Sequence, residues 1–214
     1  MPVAAKVLAV RGWPQDLSAA VQDLRSVRGV TVIGVVAPMT TDRTLARVLI
    51  RNAVARTLEA ALDQPAGSVK LVSLPGVAVA MEELPGGHGL SLSHAPGLSI
   101  AAIGRGACVG VDLMRVEDGI EGDPDWMRLA YDYLGPQVTA VLQTTAVDQR
   151  PAAFANAWTR LEACLKCLGL ALTEWSPALE AQLTTCRVTT FDLADVYGGS
   201  LAIVRSRGPG RDAA

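Results

Sequence analysis

The chain is organised around the stretch Ala107-Cys-Val-Gly-Val-Asp-Leu113. Its small and β-branched residues are typical of a buried strand, and it carries one carboxylate, Asp112, near its end. Before it lies Leu90-Ser-Leu-Ser-His94, in which apolar and polar residues alternate as in a half-buried strand. After it, Glu162 and Lys166 stand one turn apart on a predicted helix. We expect these polar residues to form a site for a metal and a phosphate.

The composition indicates a globular protein. The chain has 214 residues, 50% of them hydrophobic, and a formal net charge of −2, which suits one ordinary or large domain or two small ones. The near-neutral charge argues against general nucleic-acid binding, which needs a basic face. A transmembrane helix, which needs about 18 unbroken apolar residues, is not expected. The N-terminal segment, predicted as a strand over Val3–Val10, lacks the pattern of an export signal, so a cytoplasmic location is expected.

The four cysteines are predicted to be buried thiols in a reducing compartment. Cys164 and Cys167 form a C-x-x-C pair, which also permits a redox or metal interpretation. However, the pair stands late in a predicted helix, where a thiolate is not stabilised, and no second pair completes a zinc set. Plain helix packing is the favoured interpretation.

The first half of the chain predicts two helices and a strand. The helices run over Leu17–Val27 and from the N-cap residue Asp42 to about Leu62, and the strand covers Val30–Val36. The apolar side of the second helix is predicted to consist of Leu45, Val48, Leu49, Leu58 and Leu62.

Three arginines recur every four residues on that second helix: Arg43, Arg47 and Arg51. Like charges at this spacing repel one another by a few tenths of a kcal/mol per pair. The stripe is either a solvated face or a surface on which an anion such as a phosphate offsets the repulsion.

Three strands follow one another closely: Leu90–His94, Leu98–Ile103 and Ala107–Leu113. The turns between them are so short that an antiparallel meander is predicted. The other predicted elements are short strands at Val69–Leu74 and Val77–Ala80, helices at Asp125–Leu134, Val138–Ala146 and Pro151–Gly169, and closing strands at Leu183–Phe191 and Ser200–Val204.

Three motifs in this order resemble the 4′-phosphopantetheinyl transferases. The first is Ser91-Leu-Ser-His-Ala-Pro-Gly-Leu-Ser-Ile-Ala-Ala-Ile-Gly104, and the second is Val109-Gly-Val-Asp-Leu113. The third has the pattern F-x-x-x-W-T-x-x-E-A-x-x-K-x-x-G over Phe154–Gly169. With the arginines of the second helix, the resemblance covers roughly Arg43 to Leu172, most of the chain, and it is to the longer, two-lobed type that activates surfactin synthetase.

The resemblance implies an α+β fold of two similar lobes related by a pseudo-twofold axis, with coenzyme A and Mg²⁺ bound between them. The lobes would be residues 1–104 and 105–205, followed by a flexible tail at 206–214. The implied reaction moves phosphopantetheine from coenzyme A to a serine of an acyl or peptidyl carrier protein in polyketide or nonribosomal peptide biosynthesis, and releases 3′,5′-ADP. A monomer is expected, with no nucleic-acid or membrane partner.

The resemblance also assigns roles to residues. Asp112 and Glu162 match the metal ligands, and Glu162 and Lys166 match the catalytic pair. Six residues match family positions that contact coenzyme A, or lie in the region that does so: Arg43, Arg47, Arg51, Ser93, His94 and Lys166. Taken singly, such residues more often have ordinary roles, as a turn cap, a surface ion pair or a structural histidine.

The chain departs from the family pattern at three places. Met114 stands where many members have a second acidic residue, for which Glu117 is a less well-placed substitute. Leu161 replaces a lysine next to the helix glutamate, and the acidic Glu82-Glu83 lies where a basic residue is common. An alternative hypothesis is therefore a weakened or inactive descendant that binds a carrier protein or a nucleotide. A shorter, trimeric holo-synthase with one lobe per chain is a weaker alternative.

Overall fold

Strands and helices are mixed along the chain, so the α+β class predicted from the sequence is confirmed. The computed structural model describes residues 9–26, 29–72, 80–81, 88–120, 125–191, 193–194 and 196–205. Its strands are β1 (Arg11–Gly12), β2 (Val30–Val36), β3 (Leu71–Val72), β4 (Ala80–Met81), β5 (His88–Ala95), β6 (Leu98–Arg105), β7 (Ala107–Arg115), β8 (Arg187–Thr190) and β9 (Tyr197–Arg205). Its helices are α1 (Leu17–Arg25), α2 (Arg43–Ala61), α3 (Glu117–Ile120), α4 (Trp126–Thr144), α5 (Arg150–Leu168) and α6 (Pro177–Leu183).

Seven strands form one mixed sheet in the order β1-β2-β6-β5-β7-β9-β8, while β3 and β4 pair separately. The predicted meander is wrong at its third strand, because β7 lies beside β5, in parallel, and not beside β6. Glycines permit this crossing. A Cβ on Gly89 would come 2.3 Å from the Ala107 carbonyl oxygen, and one on Gly104 would come 2.7 Å from Val109 Cγ1. The backbones can therefore approach closely where the chain reverses at Gly106, which has a positive φ of 64°.

Strands β5 and β7 are joined by serine side chains as well as by backbone pairing. Ser91 Oγ accepts a hydrogen bond from the Val111 N–H at 3.0 Å, and Ser93 Oγ accepts one from the Leu113 N–H at 3.1 Å. Both hydroxyls are buried, so they satisfy alternate N–H groups of β7 that would otherwise lack partners. We call this junction, formed by Ser91 and Ser93 against β7, the serine seam.

Helices α1 and α2 cover the β2–β6 part of the sheet and share an apolar core with it. Helix α2 begins as predicted, because the Asp42 side chain accepts hydrogen bonds from the N–H groups of Thr44 and Leu45. Its predicted apolar side is partly wrong, since Leu45 and Val48 are each 48% exposed. The residues of α2 before Ile50 are exposed or half-buried, so its packed face consists of later residues: Ile50, Ala53, Val54, Thr57 and Leu58.

Helix α5 packs against β7 and β9 on the other part of the sheet. At Gly110 the approach is so close that a Cβ would lie 2.0 Å from the Ala163 carbonyl oxygen. The helix has Pro151 in its first turn and ends at Gly169, whose φ of 69° provides the left-handed cap that the sequence predicts.

Helix α4 is two helical segments, as predicted, separated at Gly135 with φ 82° and ψ 170°. The segments fold back on each other, because Gln143 Nε2 donates a hydrogen bond to Met127 Sδ at 3.2 Å. The side chain of Trp175 fills the space beside Gly135, where a Cβ would lie 2.6 Å from the indole.

The predicted strand Leu183–Phe191 is wrong in its first part, because the chain forms α6 (Pro177–Leu183) before β8 (Arg187–Thr190). The helix signal was present in the sequence. The Ser176 side chain accepts a hydrogen bond from the Leu179 N–H, and Pro177 occupies the first turn.

Some predictions fall wholly or partly outside the described residues. They concern residues 3–8 of the first predicted strand, residues 73–79, Glu82-Glu83 and the tail at 206–214. The next residues, Ala9 and Val10, are not in a strand, and β1 begins at Arg11. The boundary at residue 104 remains a prediction. Among the described helices, none combines the length and apolar character needed to cross a bilayer.

Candidate active site

A pocket of about 270 Å³ opens beside the serine seam. It is lined by Arg43, Leu92, Ser93, His94, Asp112, Leu113, Met114, Trp158, Glu162 and Lys166. Three parts of the fold contribute to it: the start of α2, the ends of β5 and β7, and the middle of α5. Polar site residues that lie far apart in the sequence are thus brought together in one cavity.

Asp112 is the buried carboxylate of this pocket. Its Oδ1 accepts hydrogen bonds from Ser93 Oγ at 2.9 Å and from Lys166 Nζ at 2.6 Å. Lys166 Nζ also lies 3.3 Å from the Val111 carbonyl oxygen. In the described part of the chain, Asp112 Oδ2 has no hydrogen-bond partner, so one oxygen of a positioned carboxylate is left for a ligand.

Glu162 lies one turn before Lys166 on α5 and is half-buried. Its pKa is raised from the ordinary value of 4.5, first by burial and then by the negative charge of Asp112, while Lys166 partly offsets both effects. A glutamate with a raised pKa is a better proton acceptor than a surface glutamate. The pocket therefore contains two carboxylates in different environments.

His94 is kept neutral at physiological pH. Burial, followed by the positive charges of Arg43, Arg47, Lys166 and Arg51, lowers the pKa of its imidazole from 6.5 to about 4. The ring nitrogen Nδ1 lies 2.9 Å from the Ser99 hydroxyl oxygen.

The arginine stripe of α2 lies on the side of the helix that faces this site. Arg43 lines the pocket, and Arg47 and Arg51 contribute to the positive potential at His94. No described carboxylate forms an ion pair with any of the three. Arg51 Nε is buried and, as far as the structure describes the chain, has no hydrogen-bond partner. Arg43 and Arg47 are exposed, which is compatible with a solvated face, whereas the buried Nε–H of Arg51 leaves a place for an anionic acceptor.

Two residues of the site were missed from the sequence. Trp158 packs against Phe154, with ring centroids 5.8 Å apart, and it also lines the pocket. Thr159 is buried, and its Oγ1 lies 3.1 Å from Ser200 Oγ of β9. That contact joins α5 to the strand that pairs with β7 at Asp112.

The departures from the family pattern have structural counterparts. Met114 lines the pocket, whereas Glu117 pairs with Arg115 and does not line it. Leu161 is buried in an apolar cluster with Phe154, so its side chain does not face the pocket.

The cysteines do not form a reactive centre. Cys164, Cys167 and Cys186 lie in one apolar cluster, and burial together with neighbouring Cys186 raises the pKa of Cys164 and of Cys167 to about 12. Such thiols are inert, as the packing interpretation predicts. Cys108 is exposed, so the prediction that all four are buried is wrong for this residue.

The carboxylates of the pocket are its candidate ligands for a metal ion. Among the described residues, no group of three or more His, Cys, Asp or Glu side chains could hold one. Asp112 and Glu162 are nevertheless both present in the pocket, with Asp112 Oδ2 available. This is the donor set that suits Mg²⁺, which is commonly held by one or two carboxylates while water and substrate phosphates complete its shell.

Comparison with known proteins identifies the second half of the chain. Residues 108–204 match the family model of the 4′-phosphopantetheinyl transferase superfamily. A search of curated proteins gave no match. The matched range runs from β7 to β9 and includes Asp112, Glu162 and Lys166. The chain therefore carries, at residues 108–204, a domain of the 4′-phosphopantetheinyl transferase superfamily.

Proposed function

We propose that this protein transfers the phosphopantetheine arm of coenzyme A to a serine of an acyl or peptidyl carrier protein and releases 3′,5′-ADP. The observation that carries the proposal is the pocket in which Asp112, Glu162 and Lys166 meet His94 and Arg43. The superfamily domain supports phosphopantetheinyl transfer in general. Service to polyketide or nonribosomal peptide carriers is part of the proposal.

Four cations supply the affinity for the phosphates of coenzyme A. Lys166 and Arg43 line the pocket, and Arg47 and Arg51 follow on the same side of α2. The buried Nε–H of Arg51 gains an acceptor when a phosphate oxygen approaches it. Ser93 and His94 contact the same ligand from β5 in this proposal.

Asp112 and Glu162 would hold a Mg²⁺ ion together with phosphate oxygens and water. When bound, this ion neutralises charge on the pyrophosphate and polarises the phosphoryl oxygens. Asp112 is positioned for the role by Ser93 and Lys166, which both bind its Oδ1 and thereby fix the carboxylate.

Glu162 would accept the proton of the carrier serine. The serine oxygen forms a new bond to the phosphorus that carries the pantetheine arm, the bond from that phosphorus to the bridging oxygen of 3′,5′-ADP breaks, and the serine proton passes to Glu162. The raised pKa of Glu162 makes it a stronger base, and Lys166 offsets the charge that develops on the leaving phosphate.

Apolar walls complete the site. Trp158 and Met114 line the pocket beside the polar residues, and both pack into the apolar cluster of α4 and α5. They exclude water from one side of the reacting groups, which strengthens the electrostatic contacts there. We further propose that the serine seam joins two lobes, 1–104 and 105–205, so that one chain supplies both sides of the site.

The test is transfer to apo carrier proteins in the presence of coenzyme A and Mg²⁺, followed by mass spectrometry for the added phosphopantetheine group. Asp112→Asn and Glu162→Gln should each lower the rate about a hundredfold or more, as expected for loss of one electrostatic group. Glu117→Gln is the matched control, because its carboxylate pairs with Arg115 outside the pocket. Coenzyme A binding without transfer to any carrier from the same genome would favour the alternative of a binding module.

A further inference from the structure

Ser99 on β6 holds the His94 imidazole from the side away from the pocket. It is 3% exposed and lies directly opposite His94 in the antiparallel register of β5 and β6. Its Oγ is 2.9 Å from His94 Nδ1. Since Nδ1 is turned to Ser99, Nε2 is the ring nitrogen that remains for the pocket, which His94 lines.

The direction of this hydrogen bond follows from the surroundings of Ser99. Within the described residues, the Ser99 hydroxyl has one hydrogen-bond partner, His94 Nδ1. If Nδ1 carried the ring proton, the hydroxyl oxygen would accept it and the hydroxyl hydrogen would have no acceptor. A buried donor without an acceptor costs more than one ordinary hydrogen bond contributes. The hydroxyl therefore donates to Nδ1, and the neutral ring carries its proton on Nε2.

The choice between the two neutral forms decides what His94 offers to a ligand. Burial, followed by the positive charges of the surrounding cations Arg43, Arg47, Lys166 and Arg51, lowers the pKa of the ring and keeps it neutral. A neutral imidazole has one donor and one acceptor nitrogen. An Nε2 lone pair facing the pocket would repel an anionic oxygen, whereas an Nε2–H would bind one.

We propose that Ser99 is a positioning residue that selects the Nε2–H tautomer of His94, so that a neutral imidazole donates a hydrogen bond to an anionic oxygen in the pocket. Only the identity of that oxygen, a phosphate oxygen of coenzyme A, rests on the proposed function. The tautomer itself is a property of the ligand-free protein.

The first experiment measures the tautomer directly, by two-bond ¹H–¹⁵N correlation spectra of the ligand-free, ¹⁵N-labelled protein at neutral pH. The chain has two histidines, and His94→Gln assigns the signals. We expect Nδ1 to be unprotonated and Nε2 protonated in the wild-type protein, and a mixture of tautomers in Ser99→Ala. Ser91→Ala is the matched control, since it removes another buried hydroxyl, one that binds the Val111 N–H and not His94. A protonated Nδ1 in the wild type, or an unchanged spectrum in Ser99→Ala, would overturn the inference. The wild-type spectrum tests the predicted tautomer even if Ser99→Ala does not fold.

The second experiment measures coenzyme A affinity by calorimetry. Ser99→Ala should weaken binding about 3- to 10-fold, as for partial loss of one hydrogen bond, with the tautomer change seen in the same sample. Affinity that stays at the wild-type value despite a changed tautomer refutes the donor role. Failure of the wild-type protein to bind coenzyme A would instead refute the proposed function. The donor role of His94 would then be tested by measuring the affinity for inorganic pyrophosphate. Unchanged pyrophosphate affinity in Ser99→Ala would also refute the donor role.

Discussion

The ion pair between Lys166 and Asp112 gives a quantitative test of the site. The Lys166 side chain is 33% exposed and that of Asp112 is 11% exposed, so the pair lies between the surface and the interior. Exposed pairs contribute at most about 1 kcal/mol, whereas breaking a buried pair costs about 3 to 5 kcal/mol. We therefore expect Lys166→Met to lower the free energy of unfolding by about 1 to 3 kcal/mol, because among the described side chains the Asp112 carboxylate would keep only Ser93 as a hydrogen-bond partner.

A double-mutant cycle separates this interaction from other effects of the substitutions. Asp112→Asn should cost less than Lys166→Met, since the more exposed lysine can reach water when its partner loses charge. The double variant should lose less stability than the sum of the two single variants. The difference, which is the coupling energy, should be about 1 to 3 kcal/mol by urea unfolding with unchanged m-values.

The matched control is the pair of Arg128 and Asp132, one turn apart on α4. Their charged atoms are 3.5 Å apart, and their side chains are 83% and 37% exposed. The cycle of Arg128→Met and Asp132→Asn should give a coupling of only about 0.3 to 0.5 kcal/mol. If the Lys166–Asp112 coupling is no larger than this control, the two residues are an ordinary surface pair and the argument for a fixed carboxylate fails.

Three further predictions concern groups whose environment differs from that of a surface residue. Folding raises the pKa of Glu162 above 4.5, so its ionisation opposes folding at neutral pH. Glu162→Gln should therefore be more stable than the wild type at pH 7, with the gain vanishing below pH 4.5, and a variant as stable as the wild type at both pH values would contradict this. The imidazole of His94 should titrate near pH 4 by NMR, and stability should fall as pH drops from 6.5 towards 4, because the unfolded chain then binds the proton first; a midpoint near 6.5 would show that neither burial nor the cations act on the ring. Gly110→Ala should lower the free energy of unfolding by about 3 kcal/mol, since its Cβ would lie 2.0 Å from the Ala163 carbonyl oxygen, and an unchanged melting temperature would show that α5 can shift away from β7.

Local patterns in the sequence were sufficient for most of the elements. The cap at Asp42, the break at Gly135 and the glycine stop at Gly169 each depend on neighbours in the chain, and each prediction is confirmed. The order of strands in the sheet depends on distant contacts. The local sequence does not indicate that Gly89 and Gly104 make room for the start of β7. The meander is the simplest topology for short turns, and it was therefore predicted wrongly.

The same distinction applies to the site. Asp112, Glu162 and Lys166 could be predicted, because the strand-end position and the helical spacing carry information along the chain, and the structure brings them into one pocket. The hydrogen bonds of Ser99 to His94 and of Thr159 to Ser200 could not, because they depend on strand register and on how α5 lies across the sheet. The hydrogen bonds that orient the site residues therefore could be found only from the three-dimensional structure.

The charge balance of the pocket bears on whether the departures from the family pattern weaken the site. A cation is absent next to Glu162, but Leu161 at that position packs in the core and leaves no vacant place in the pocket wall. Four cations nevertheless act on His94, from α2 and α5, while the pocket holds two carboxylates, one with a raised pKa. Two of these cations, Arg43 and Lys166, line the pocket, and Lys166 pairs with Asp112, so the unpaired charge lies on the arginine stripe, whose mutual repulsion would be offset when a pyrophosphate and a 3′-phosphate are bound. The role proposed for the arginine stripe of α2 is therefore to compensate in part for the missing lysine, which fits a site that binds a polyphosphorylated ligand.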